Sequence, residues 1–72
     1  MVKLVFKLSE LGIVELAPVG SETLADLLNR CAAEKNVVLG STIAVRNGSV
    51  VRDDDLVADG DVFEIFPAIS GG

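Results

Sequence analysis

Apolar and polar positions alternate at the start of the chain, where Val2, Leu4, Phe6 and Leu8 are interleaved with Lys3, Val5 and Lys7. A period of two is that of a strand with one buried face. Glu10, Leu11 and Gly12 supply a reversal, after which Val14 and Leu16 alternate with Ile13, Glu15 and Ala17 until Pro18 ends the run. These two runs predict an N-terminal hairpin. The period then changes: Leu24, Leu27, Leu28 and Cys31 fall at i, i+3, i+4 and i+7, one apolar stripe of a helix. Asp26, Asn29, Arg30 and Glu34 occupy the opposite side, so the helix is expected to lie on a sheet with its other face in water. Thr23 and Asp26 have capping-box spacing, and the pattern fades near Lys35 and Asn36.

A short apolar connection, residues 37–40, leads to Ile43 and Val45, which open a third strand running into Asn47 and Gly48. Asn-Gly is a strong hairpin signal, because a type I′ turn needs positive φ at both central positions. Val50 and Val51 return as a brief fourth strand. Asp53, Asp54 and Asp55 form a polar loop, Leu56 is expected to tuck inward, and Asp59, Gly60 and Asp61 make the last turn. In the final strand Phe63 and Ile65 alternate with Val62, Glu64 and Phe66, with Pro67 expected to stop the pairing. The order strand, strand, helix, strand, strand, strand predicts an α+β fold of β-grasp, or ubiquitin-like, layout. Its sheet is mixed, of four to five strands, with one packed helix. The crossover lets the first and last strands lie parallel, as right-handed connections do. Residues 1–72 form a single domain, and residues 67–72 a flexible tail leaving a central strand.

Seventy-two residues make one domain that buries about 60% of its unfolded surface, too little for a deep internal active site. With neither Trp nor Tyr and only three Phe, the core is built mainly from aliphatic side chains. Eleven acidic against six basic residues give a net charge of −5. That sign argues against nucleic acid as a partner and suits a protein with a basic docking surface. No apolar run is long enough to cross a membrane, and the start lacks a secretory pattern, so the expected location is the cytoplasm with no membrane partner. One cysteine allows no internal disulfide, in keeping with a reducing compartment.

Candidate chemistry is sparse. The chain has no histidine, no paired cysteines and no phosphate-binding glycine pattern. Cys31 sits on the apolar stripe and reads as a buried, unreactive thiol. The aspartates from 53 to 61 lack the spacing of a calcium loop, so no metal site is expected. What remains is the tail Phe66, Pro67, Ala68, Ile69, Ser70, Gly71, Gly72. Two glycines in series lack Cβ atoms and can thread a narrow channel. A carboxylate at Gly72 is a poor electrophile until it is activated, and an acyl-adenylate made with ATP by another protein is the usual means.

Several segments resemble the small β-grasp sulfur carriers of molybdopterin and thiamin biosynthesis, the ThiS/MoaD group. They are Thr23 to Leu28 at the helix start, Ala44 to Gly48 at the hairpin, Ala58 to Asp61 at the last turn, and Phe66 to Gly72 at the tail. The resemblance spans essentially the whole chain. It implies that Gly72 carries the reacting carbonyl, adenylated by an E1-like, ATP-using partner and converted by a sulfur donor protein to a thiocarboxylate. Gly71 would give slim access, Ser70 and Ile69 the path, and Pro67 and Phe66 the partner-facing base of the tail. The domain would be a consumed co-substrate rather than an enzyme, with no bound cofactor of its own. Its acceptor would be the large subunit of molybdopterin synthase or a thiazole synthase, and Pro67 is more similar to the molybdopterin branch. Two alternatives share this layout: a ubiquitin-like modifier forming isopeptide bonds through Gly72, and a plain interaction module.

Overall fold

Alternation places Val2, Leu4 and Phe6, Val14 and Leu16, and Phe63 and Ile65 on matching sides of their strands, and one sheet with a single covered face buries them together. The computed structural model describes residues 1–68. It contains β1 (Val2–Phe6), β2 (Ile13–Leu16), α1 (Leu24–Lys35), β3 (Thr42–Arg46), β4 (Ser49–Val51) and β5 (Val62–Pro67). The five strands form one mixed sheet in the order β2-β1-β5-β3-β4, the ubiquitin-like β-grasp arrangement. β1 and β5 are parallel, with Lys3 opposite Val62 and Phe6 opposite Ile65, and the remaining neighbours are antiparallel. Asn47 and Gly48 both have positive φ, 54° and 80°, as the β3–β4 turn requires.

Helix α1 covers one sheet face with Leu24, Leu27, Leu28 and Cys31, the predicted stripe, all buried. They pack in one cluster with Val2, Leu4, Phe6, Val14, Leu16, Ala44, Val57, Phe63 and Ile65. The capping box forms: the Asp26 N–H donates to Thr23 Oγ1 at 3.2 Å, and the Thr23 N–H donates to the Asp26 carboxylate at 3.4 Å. The next two orphan donors are met from elsewhere in the chain. The Leu24 N–H donates to the Asp55 carbonyl and the Ala25 N–H to the Asp53 carbonyl, each at 2.9 Å. The helix ends on Asn36 in the left-handed conformation.

Four expectations are corrected. Leu8 does not continue β1: the Phe6 N–H already donates to the Gly12 carbonyl across the hairpin, and Leu8 lies in the turn, 89% exposed with φ 58°. Leu56 points outward and Val57 inward, because an isolated bridge between Thr23 and Leu56 and the bond from the Val57 N–H to the Glu22 carbonyl fix the phase of that segment. Pro67 is the last residue of β5, paired with Thr42, and does not begin the tail. Arg30 is only half-exposed. Its Nε and Nη2 donate to the two oxygens of Glu22, both at 3.0 Å, and Nη2 also donates to the Ala17 carbonyl at 2.7 Å.

Glu22 is buried, and a carboxylate in that position depends on its bidentate partner. The hydrogen bonds from Arg30 hold its carboxyl below the ordinary glutamate range, against the opposing effect of burial. Two predictions follow from this packing. Leu27→Ala, which empties a site with no exposed surface, is expected to cost about 2–5 kcal/mol in a urea titration. Glu22→Gln is expected to cost about 1–3 kcal/mol at neutral pH. Because the folded-state pKa is depressed, that stabilisation is complete above the ordinary value of about 4.5 and is lost as the pH falls through the folded value. The wild-type and variant stability curves, measured by denaturant titration at several pH values, should therefore converge in acid.

Candidate functional site

β5 is the middle strand of the sheet, hydrogen-bonded to β1 on one edge and to β3 on the other. Its far end is held by the Ala68 N–H, which donates to the Ser41 carbonyl at 3.0 Å, one step beyond the Thr42–Pro67 pair. In an antiparallel ladder successive N–H groups point to alternate sides. The Ala68 N–H faces β3, so the donor that proline lacks at position 67 falls on the other side, toward β1. By that point β1 has ended at Phe6. Its last step is the bond from the Lys7 N–H to the Ile65 carbonyl. Pro67 therefore costs no bond to β3 and closes the pairing with β1.

Alternation along β5 sends Phe66 to the face of the sheet away from the helix, opposite Ile43 of β3. Val62 and Val5 share that face, as the β1–β5 register requires. Glu64 lies between them, opposite Val5 on one side and Val45 on the other. Its carboxylate is 3.5 Å from the Lys7 ammonium, both side chains being substantially exposed, so the pair contributes little to stability. The outer face thus carries apolar side chains among two solvated ion pairs, Lys7–Glu64 and Lys3–Glu15, with Phe66 and Ile43 at the end nearest Ala68.

On the helix side of the same end lies an open groove of about 290 Å³, lined among others by Phe6, Leu8, Val38, Ile65, Pro67 and Ala68. The sequence treated residues 37–40 only as a connection and Leu8 as core. No local signal marks either as part of this end of the molecule, because the groove exists only once the β1–β2 turn and the segment after α1 meet beside β5. Of the six expected site residues, Phe66 and Pro67 are brought together at the end of β5. Ile69, Ser70, Gly71 and Gly72 lie outside the described residues.

Other candidate groups are engaged elsewhere. Cys31 is fully buried, and burial pushes its thiol pKa up, so it is held as the neutral, unreactive form. The Asp55 carboxylate accepts from the Arg52 N–H at 3.0 Å, and Asp61 accepts from the Ala58 N–H at 2.9 Å and from Arg46 at 3.1 Å. These aspartates shape turns at the end of the sheet where β5 begins. Arg46 also lies over the ring of Phe63, 5.4 Å from its centroid. Among the described residues no three His, Cys, Asp or Glu side chains converge on a metal position. No described helix is long and apolar enough to cross a membrane.

The fold is shared with solved ubiquitin-like proteins. The crystal structure of SAMP1 from Haloferax volcanii superposes with a TM-score of 0.70 at 19% identity, covering 99% of this chain and 98% of that one. A structure described as Caldiarchaeum subterraneum ubiquitin gives 0.70 at 24% identity, covering 99% and 95%. A ubiquitin-like protein from the same archaeon gives 0.56 at 24%, covering 97% of each chain. At these identities the likeness speaks for the fold. A family model reaches further, because it matches residues 6–72, from the last residue of β1 through the second glycine: the chain belongs to the ThiS family.

Proposed function

We propose that this domain is a sulfur carrier whose Gly72 carboxylate is adenylated and then converted to a thiocarboxylate that donates sulfur in cofactor biosynthesis. Of the two branches, the molybdopterin route is favoured over the thiamin route by the resemblance at Pro67. The observation that carries the reading is the family match through Gly72 joined to the anchoring of β5. A strand pinned on both edges delivers the chain at a fixed position, and Gly72 follows four positions after Ala68.

The chemistry asks little of the domain itself. A carboxylate oxygen of Gly72 attacks the α-phosphorus of ATP held by an E1-like partner, releasing pyrophosphate and leaving an acyl-adenylate. The outer sulfur of a persulfide on a donor protein then adds to the carbonyl and AMP leaves, so that a C–S bond replaces the C–O bond to the nucleotide; a thiol then attacks the donor-side sulfur of the resulting acyl disulfide, forming a disulfide with the donor and releasing the thiocarboxylate. Gly71 and Gly72, lacking side chains, suit a channel too narrow for a Cβ. Ser70 and Ile69 set the path, while Phe66 and Pro67 form the base that partners meet. The thiocarboxylate is then consumed by the large subunit of molybdopterin synthase or by a thiazole synthase, and the domain is recharged. Nucleotide and activation belong to the partner, so the domain acts as co-substrate rather than enzyme.

Mass spectrometry of the protein from its native host tests this reading. The expected result is a fraction carrying sulfur in place of one oxygen at Gly72. Lysine-linked adducts without that species would replace the carrier reading by that of a protein modifier. Deleting Gly72 is expected to abolish sulfur loading while leaving the thermal midpoint unchanged. The described core is assembled from residues between Val2 and Ile65. A drop of several degrees on deletion would contradict this separation of scaffold from reacting end.

A further inference from the structure

The groove on the helix side of β5 is lined by Phe6 and Ile65, both nearly sealed, and by Leu8 and Val38, which are 89% and 97% exposed. Packing within residues 1–68 leaves the last two side chains without cover. Leu8 also holds its position at φ 58°, in the left-handed region where Gly or Asn is favoured over a branched side chain. Exposed apolar side chains grouped around one groove point to an occupant.

The phase of β5 identifies that occupant. Phe63 and Ile65 turn to the helix side and are buried, and Pro67 follows them in the same phase and lines the groove. The Ala68 N–H, bonded to the Ser41 carbonyl, carries the pairing one residue past Pro67. The next position in the inward phase is 69. Continuing the Thr42–Pro67 register sets it opposite Gly40, which lines the groove and where an added Cβ would meet nothing within 4 Å. Residues 69–72 lie outside the described residues, and Ile69 is the one apolar side chain among them, the others being Ser70, Gly71 and Gly72. Its Cα follows that of Ala68, itself part of the lining, at about 3.8 Å. No long loop has to close for it to arrive.

We propose that Ile69 seats in this groove against Leu8 and Val38 and forms a second anchor of the chain end, one residue beyond the sheet. The seat shortens the stretch that leaves the domain from four residues to three, so Gly72 travels no more than about 11 Å from its last fixed point at about 3.3–3.6 Å per residue. It adds side-chain burial to the single hydrogen bond at Ala68 and covers both exposed side chains. The anchor is reversible: a channel that takes up the diglycine can lift one aliphatic side chain out of an open groove, whereas the paired part of β5 stays in place. The contact is internal to the chain and does not depend on the chemistry proposed for Gly72.

The test is NMR of the full, isotopically labelled chain with no partner present. The expected result is a backbone order parameter above about 0.6 at Ile69, with Gly71 and Gly72 below it, and nuclear Overhauser contacts from the Ile69 methyls to those of Leu8 and Val38. Ile69→Ser should bring position 69 below about 0.6 and speed hydrogen exchange of the Ala68 N–H about fivefold. Ile69→Val should retain both the order and the slow exchange. Leu8→Asn with Val38→Ser, neither of them in the core cluster, should reproduce the effect of Ile69→Ser, and Val19→Ser, an exposed site following β2, should not. Unchanged amide shifts over residues 13–35 show that each variant is folded. A wild-type Ile69 with an order parameter as low as that of Gly71 overturns the proposal, and so does an ordered Ile69 that ignores the Leu8 and Val38 substitutions. Sulfur at Gly72 is read separately by mass, so failure of the seat leaves the carrier reading standing, and failure of the carrier reading leaves the seat.

Discussion

Pairing of β5 along both edges is the constraint on which the rest of the molecule depends. Parallel pairing with β1 joins the first strand to the last, so the sheet closes only when nearly the whole chain is in place. Antiparallel pairing with β3 continues to Pro67 and one hydrogen bond further, to Ala68. The same pairs that bury Phe63 and Ile65 against Leu4 and Leu27 fix the direction in which the chain departs. Stability of the core and aim of the exit are thus properties of one strand. A long-range parallel contact of this kind is slow to form, since loop closure precedes any reward from burial.

The helix depends on the sheet in a less obvious way. Its first two N–H groups are satisfied by carbonyls of Asp55 and Asp53, residues that follow β4, and Glu22 just before it is held by Arg30 on its second turn. Helix start, β4 exit and the segment carrying Val57 therefore form one hydrogen-bonded unit at the pole opposite Ala68. The acidic turns belong to this unit.

Elements with a local physical cause were legible in the sequence. The Leu24, Leu27, Leu28, Cys31 stripe, the Thr23–Asp26 cap and the Asn47–Gly48 turn each follow from the chemistry of neighbours in sequence, and each occurs as expected. So does the outward phase of Phe66, which period-two alternation determines. The misreadings share another origin. Leu8 continued the alternation of β1, but its side chain is released because the hairpin closes at Phe6 and Gly12. Leu56 and Val57 differ by one residue, and only a bridge to Thr23 decides which turns inward. Arg30 looked solvated because its partner Glu22 lies eight positions away and off the helix. Proline lacks a donor, so Pro67 predicts a stop, whereas the side to which that donor would point depends on register. Leu8 and Val38 became neighbours of the exit only through tertiary assembly, which no single window of sequence contains.

The sealed position of Cys31 bears on the fidelity of the proposed chemistry. Sulfur relays commonly run through persulfides, which exchange readily with any accessible thiolate. A protein whose sole thiol has no exposed surface, and whose thiol pKa is pushed up by burial, offers such donors no accessible competing sink. An activated acyl group on the same chain likewise meets no internal nucleophile of comparable softness. On the proposed reading, selectivity for the Gly72 carbonyl is aided by what the interior withholds, a second thiol within reach of the sulfur donor.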